Sequence, residues 1–202
     1  MSNWIRKKKN SEKLLPFFKA IKEDIKKQLR YKYTESIIRN FPGNLGLWLR
    51  YHLLKKSFKK IGNNVLIWQG IRIKHIDKIE VGDNAQLGYD NHYQASGGLK
   101  IGKNTLIGPN VNIWTINHIY SQKNKPITEQ GNEKKEVKIG DNCWITSMCF
   151  ILPGASIPNG CVILPNSVVG VMKIPPNSVI SGNPAKIICS RLSLGKFKKY
   201  DK

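Results

Sequence analysis

The tetrapeptide Ile/Val-Gly-x-Asn occurs four times in this chain, as IGNN at 61–64, VGDN at 81–84, IGKN at 101–104 and IGDN at 139–142. The steps between copies are 20, 20 and 38 residues, the last equivalent to a 20-residue step followed by an 18-residue one. A finer period of six runs between these landmarks. Ile101, Ile107, Ile113 and Ile119 keep it, and so do Ile139, Ile145, Ile151, Ile157 and Ile163. Small residues follow four positions behind each aliphatic: Thr105, Val111 and Asn117, then Cys143, Cys149, Ala155, Cys161 and Ser167. Self-similarity at a short fixed period demands units that pack only on their neighbours, and a six-residue period points to a β-helix.

Each hexapeptide reads as one short strand plus a corner. The aliphatic points into a narrow interior, the small residue fits beside the next corner, and Gly and Asn supply backbone conformations that other residues resist. Three hexapeptides make one 18-residue triangular coil. Two-residue additions at Ile79-Glu80, Leu99-Lys100 and Val137-Lys138 are expected to widen a corner and give 20. Stacked coils bury a core that none could bury alone.

The chain is 202 residues long with a formal charge of +21, unevenly placed. Residues 1–60 hold 17 Lys/Arg against 4 Asp/Glu, residues 186–202 hold 6 against 1, and residues 61–185 only 11 against 8. The basic character therefore belongs to the two ends of a nearly neutral solenoid. No run approaches the ~18 apolar residues of a membrane span, and MSNWIRKKKN lacks the apolar stretch of a secretory signal, so a cytoplasmic protein is expected.

Residues 1–58 read as a basic helical region. Ile21, Ile25, Leu29, Tyr33 and Ile37 form an i+4 stripe led by Leu14, Phe17 and Phe18. Phe41-Pro42-Gly43 breaks it, and Asn44 is placed to cap a second helix through Leu47, Trp48, Tyr51, Leu54 and Phe58. Such helices can cover the open end of the first coil. A basic amphipathic face also suits the surface of an anionic membrane, such as the inner leaflet in the cell. No nucleic-acid recognition motif accompanies the charge.

Cys143, Cys149 and Cys161 all occupy the small-residue beat, which makes them reduced, buried residues along one edge of the coil; no C-x-x-C pair suggests a metal. The four histidines, His52, His75, His92 and His118, are dispersed, which disfavours a zinc site. His52 reads as a surface residue, and His75 as lying in a coil far from any loop. His92 lies in YDNHYQASGG (89–98), an irregular stretch suited to lining a pocket, which makes Asp90, Asn91 and His92 candidate substrate contacts. His118 ends a regular hexapeptide immediately before a polar interruption over 119–136.

NIWTINH (112–118), that interruption, VKIGDNCWI (137–145), ILPGASIPNG (151–160) and IPPNSVISGNPAKII (174–188) occur together and in order. In this the chain resembles the left-handed β-helix hexapeptide-repeat acyltransferases, in particular their sugar and polysaccharide O-acetyltransferase branch, over roughly residues 59–190. The resemblance implies an all-β solenoid, a left-handed parallel β-helix at 59–190 with an N-terminal helical appendage, an extended loop and a basic tail at 191–202. It implies acetyl-CoA as co-substrate, no metal, and a homotrimer whose coenzyme groove lies between subunits. Trp144, Ser147 and Pro165 fall on matching cofactor positions, and Lys186 on a basic position near the nucleotide phosphates. The chain departs from the family pattern at Leu164-Pro165-Asn166 and at Gly170-Val171-Met172-Lys173, where Lys173 is chosen over Val171 because only it can neutralise a phosphate.

By the same resemblance His118 is the catalytic base, with Asn117 orienting it or the acceptor. Acetyl transfer from a thioester to a hydroxyl needs a group to take the hydroxyl proton, and an imidazole, with an ordinary pKa near ~6.5, suits that role. The thioester is already activated, so no nucleophilic Ser or Cys is required. Glu129, Glu133 and Glu136 are candidates to support the imidazole. The expected function is O-acetylation of a sugar hydroxyl in a surface polysaccharide or its precursor. A small-sugar or xenobiotic acetyltransferase of the same fold, or a noncatalytic scaffold binding membrane or polyanion, are the alternatives.

Overall fold

The structure, a computed structural model, describes residues 30–196. Leu14, Phe17, Phe18, Ile21, Ile25 and Leu29 of the helical stripe lie outside the described residues.

The repeat closes as a solenoid with three parallel sheets. The first sheet stacks Lys60–Ile61, Ile79–Val81, Leu99–Ile101, Val137–Ile139 and Ser156–Ile157. The third stacks Arg72–Lys74, His92–Gln94, Asn112–Trp114, Phe150–Ile151 and Val168–Val169. The second runs through six parallel levels from Leu66–Ile67 to Ser178–Ser181 and is closed by antiparallel Lys186–Ser190. The six-residue beat is the register itself. Ile67, Leu87, Ile107, Ile145, Ile163 and Ile180 align in the second sheet. Ile73, Tyr93, Ile113, Ile151 and Val169 align in the third. All of these are buried, in one continuous apolar column from Ile38 to Ile180.

Within the tetrapeptide, Gly and Asn do different work. Asn64, Asn84, Asn104 and Asn142 all have φ between 53° and 57°, the left-handed conformation that Asn tolerates better than most residues. The glycines serve close stacking instead: a Cβ on Gly62 or Gly82 would stand 2.5 Å from the backbone nitrogen of Asp83 or Lys103 in the next coil. The x position ties coils together, since Asp83 Oδ1 accepts from Asn63 N–H at 2.6 Å and Asp141 Oδ1 from Lys103 N–H at 2.9 Å.

Three expectations are corrected. The two-residue additions lie inside strands of the first sheet, not in a corner, and bring Ile79, Leu99 and Val137 inward as extra core residues. The thiols line two corners: Cys143 and Cys161 stack ahead of the second sheet, and Cys149 stands ahead of the third. The beat also stops at Thr115, so Asn117 and Ile119 are not core positions.

Helix α1 (Arg30–Ile38) and helix α2 (Gly43–Leu54) pack on the first coil. Leu54, Ile38 and Phe58 enter its core, and the Tyr51 hydroxyl donates to the Gly62 carbonyl at 3.0 Å. Helix α2 starts at Gly43 with Pro42 at its cap position and no side-chain cap, so Asn44 lies inside the first turn and does not cap it. The join is made by Arg50, only 1% exposed. Its guanidinium donates to the Ile67 carbonyl at 2.6 Å and to those of Phe41, Ile38 and Arg39 at 2.7, 3.2 and 3.4 Å. One side chain thus satisfies carbonyls of the α1 end, the turn before α2 and the second sheet.

Candidate active site

After Trp114 the chain leaves the third sheet at the corner leading to the first sheet. Thr115 fixes the departure. It is fully buried, its hydroxyl donates to the Gln94 carbonyl at 2.9 Å and accepts from Gly97 N–H at 2.7 Å. Beyond it Ile116–His118 pairs antiparallel with Asn132–Lys134, His118 opposite Asn132 and Asn117 opposite Glu133. Lys135 N–H returns to the Thr115 carbonyl at 3.0 Å, so departure and re-entry are joined at one residue. The interruption is therefore an ordered hairpin. Gln130, largely buried, braces its tip by donating to the Gln122 and Lys125 carbonyls and accepting from Gln122 N–H.

His118 stands exposed on this hairpin. The Asn117 Oδ1 accepts from the backbone N–H of His118 at 3.0 Å, which fixes the main chain without engaging the imidazole. Glu133 pairs with Lys135 at 3.0 Å, and Glu136 bridges Lys100 and Lys138, each at 3.4 Å. Among the described residues no carboxylate is hydrogen-bonded to the imidazole. His75, expected far from the loop, sits at the same corner of the first coil. Burial, with Lys78, Lys134 and Lys32, depresses its pKa despite the opposing Asp77, and Lys134 belongs to the returning hairpin strand.

The cofactor candidates divide. Trp144, half exposed, lies on the second sheet in register with Leu106 and Val162. Ser147 and Pro165 follow one above the other at the corner between the second and third sheets, where Asn166 N–H donates to the Ser147 carbonyl. Lys186 pairs with Ser181 as that sheet ends toward the same corner. Lys173 does not join them; it is exposed beyond Val169, at the corner after the third sheet.

The substrate candidates also separate. Asp90 is exposed at the corner between the second and third sheets, and His92 lies on the third. Asn91 is a correction. It is fully buried, its Nδ2 donates to the Tyr93 hydroxyl at 3.0 Å and its Oδ1 accepts from Val111 N–H at 2.8 Å, so it is a core residue and not a substrate contact. Its position six after Ala85 places it on the small-residue beat, the signal that could have told. Residues that sequence reasoning missed are Thr115 and Gln130, and also Gln94 and Ser96, whose buried Oε1 and Oγ have no partner near the root of the hairpin.

Cys143, Cys149 and Cys161 are buried, and that burial raises each thiol pKa, Cys143 to about 11. A thiol held protonated is a poor nucleophile. Among the described residues no cluster of His, Cys, Asp and Glu could hold a metal ion.

The chain is thus a three-sheet β-solenoid with an exposed histidine on an inserted hairpin, and comparison with known proteins gives the family. No family model matches the chain. WcaF of Escherichia coli (strain K12), an acetyltransferase whose name assigns it provisionally to colanic acid biosynthesis, is 31% identical over 168 residues, 83% of this chain and 88% of its own. A maltose O-acetyltransferase from Clostridium difficile 630 superposes with a TM-score of 0.73 at 31% identity, covering 82% of this chain and 87% of that one. Galactoside acetyltransferase in complex with coenzyme A gives 0.68 at 25% identity over 94% and 97%. The chain belongs to the hexapeptide-repeat acetyltransferase family.

Proposed function

We propose that this protein transfers the acetyl group of acetyl-CoA to a sugar hydroxyl of a surface polysaccharide or its precursor. The observation that carries the reading is His118, exposed on a hairpin rooted in the core through Thr115. Its imidazole takes the proton as the sugar oxygen attacks the thioester carbonyl. The tetrahedral oxyanion is stabilised by a backbone N–H beyond Trp144. Collapse expels the coenzyme A thiolate, which takes a proton to become the free thiol. The buried, protonated thiols support direct attack over an acyl-cysteine route. Asn117 positions His118 through the main chain.

Trp144, Ser147, Pro165 and Lys186, on one sheet and its exit corner, hold the pantetheine arm and phosphates, while Lys173 belongs to the adjoining corner and meets the nucleotide only across a subunit boundary. Asp90 and His92 face the acceptor. The apolar outer strip of the second sheet, with Leu106, Trp144 and Ile187 exposed, supports a homotrimer that covers it. The sugar acceptor and the polysaccharide link rest on the names of WcaF and of the maltose and galactoside enzymes.

The test is acetyl transfer to a panel of sugars followed by thiol release. His118→Ala is expected to lower kcat at least ~10²-fold with unchanged thermal stability, since the side chain is exposed. Near-normal turnover would refute the assignment.

Peripheral contact with an anionic membrane has its own support. Helices α1 and α2 and the turn between them expose Ile37, Phe41, Leu45 and Trp48 beside a strongly basic N-terminal region. Among the described residues no helix is long and apolar enough to cross a membrane. Sedimentation with phosphatidylglycerol vesicles, lost in an Ile37→Ser/Trp48→Ser variant, checks this.

A further inference from the structure

Two lysines on the solenoid's first sheet, Lys100 and Lys138, and Lys59 just before it are neutralised in place. Glu136 lies between Lys100 and Lys138, and Glu80 accepts Lys59 at 2.7 Å. The third sheet is different. Between its outer face and α1 lies a cleft of about 650 Å³ whose walls carry Lys32, Arg39, Arg72, Lys74 and His92 against, among the described residues, a single carboxylate, Glu35.

That carboxylate is already used. Glu35 is buried and holds Arg39 at 3.0 Å, and the Ile73 backbone amide also donates to it; burial raises its pKa in spite of these partners. Among the described residues no ion pair reaches Lys32, Arg72 or Lys74. Arg72 and Lys74 project from one strand face two residues apart, and His92 stands in register beside Arg72. Burial, then Lys74 and Arg72, depresses the His92 pKa, which favours the neutral ring. Unpaired like charges around a concave wall focus a positive potential and favour an anion there.

The cleft continues into an aromatic ladder. The rings of His92 and Trp114 lie 6.1 Å apart edge to face, and those of Trp114 and Phe150 5.7 Å apart. Trp114 remains 38% exposed and is the last residue before the hairpin root. A cation-lined cavity of this volume beside an exposed indole suits a ring with one apolar face and one acidic group.

We propose that this cleft binds an acidic sugar, through a carboxylate or phosphate held by Arg72 and Lys74, with the sugar ring against Trp114. The proposal rests on the acetyltransferase reading only in taking that sugar to be the acceptor. Binding is therefore measured on the full chain without acetyl-CoA, by calorimetry, using glucuronic acid, glucose 1-phosphate, glucose and inorganic phosphate. At least one acidic sugar is expected to bind ~10-fold or more tighter than glucose, and 0.3 M NaCl is expected to weaken it. Arg72→Gln/Lys74→Gln is expected to remove that preference without moving the melting temperature, because both side chains are exposed. Preference for glucuronic acid assigns a carboxylate, and preference for glucose 1-phosphate over inorganic phosphate assigns a sugar phosphate. The proposal is overturned if glucose binds as well as both acids, if the double variant keeps the preference, or if inorganic phosphate alone matches the best sugar. Binding of phosphatidylglycerol vesicles lost in the double variant, with no acidic sugar bound, would assign the cleft to a membrane surface and also overturn it. Binding without acetyl transfer to that sugar when acetyl-CoA is added leaves the cleft standing and refutes the bound sugar as the acceptor.

Discussion

Replacing Arg50 by Met keeps most of the side chain's volume and removes every donor. The two short bonds, to Ile67 and Phe41 at 2.6 and 2.7 Å, are charge-assisted and buried or nearly so. At ~1.5–3 kcal/mol for each such bond, and counting the two longer ones as nothing, the loss is about 3–6 kcal/mol. Carbonyls of the α1 end and the following turn can recover water if the helices loosen, which favours the lower half of that range. Were the whole molecule to unfold as one unit, at ~2–4 °C per kcal/mol for a chain of this size, Tm would fall by roughly 6–18 °C. A solenoid couples mainly neighbouring coils, so the loss is expected at one end first. Hydrogen exchange followed by mass spectrometry should show α1, α2 and Leu66–Ile67 losing protection while Val162–Ile163 keeps it. Arg50→Lys, which retains charge but not the planar fork, should fall between. A Tm within ~1 °C of the parent, or protection lost equally along the chain, would refute the reasoning. Because α1 forms one wall of the basic cleft, Arg50→Met should also weaken acidic-sugar binding more than acetyl-CoA binding.

Trp144→Ala should raise KM for acetyl-CoA several-fold with a smaller change in kcat, read from initial rates at saturating sugar. Met148 has φ 59° where the equivalent corners carry Asn110 and Asn166, so Met148→Asn should stabilise the fold by ~1 kcal/mol, measured by denaturant titration. His75 also has φ 60°, and its folded pKa lies below the ordinary value. The unfolded chain therefore takes the proton first on acidification, and the folded state loses stability as pH falls below ~6.5 toward the folded pKa. His75→Asn should reduce the drop in Tm between pH 7.5 and pH 5, leaving the part that His92, with its similarly lowered pKa, contributes.

The coils were legible because their period is also their register: each inward aliphatic meets its equivalent one coil away, as Ile107 meets Leu87 and Ile145. The hairpin was legible only as an interruption. Its returning strand, Asn132–Lys134, is exposed throughout, so no apolar alternation marks it. Arg50 escaped because a lone Arg in a helix reads as a solvated charge, and only the meeting of three backbone segments makes it central. Asn91 misled in the opposite sense, since a polar residue beside a histidine invites a binding role while the small-residue beat had already placed it inside. His118 stood out by position before a break, yet its role came from resemblance, because spacing alone does not distinguish a base from any exposed histidine. The cleft was invisible, since α1 and the third sheet lie some 35 residues apart and meet only after folding.

The hairpin begins and ends on Thr115, whose carbonyl receives the Lys135 amide, and the first sheet resumes its register at Val137 opposite Leu99 as though nothing had intervened. Column and hairpin are thus separable parts of the chain. Lengthening, shortening or exchanging the segment between Ile116 and Lys134 should leave every coil's alignment untouched, so selection can reshape the hairpin without renegotiating the column that carries it. A protein designer has the same freedom, with two fixed points of attachment and a rigid platform already in place.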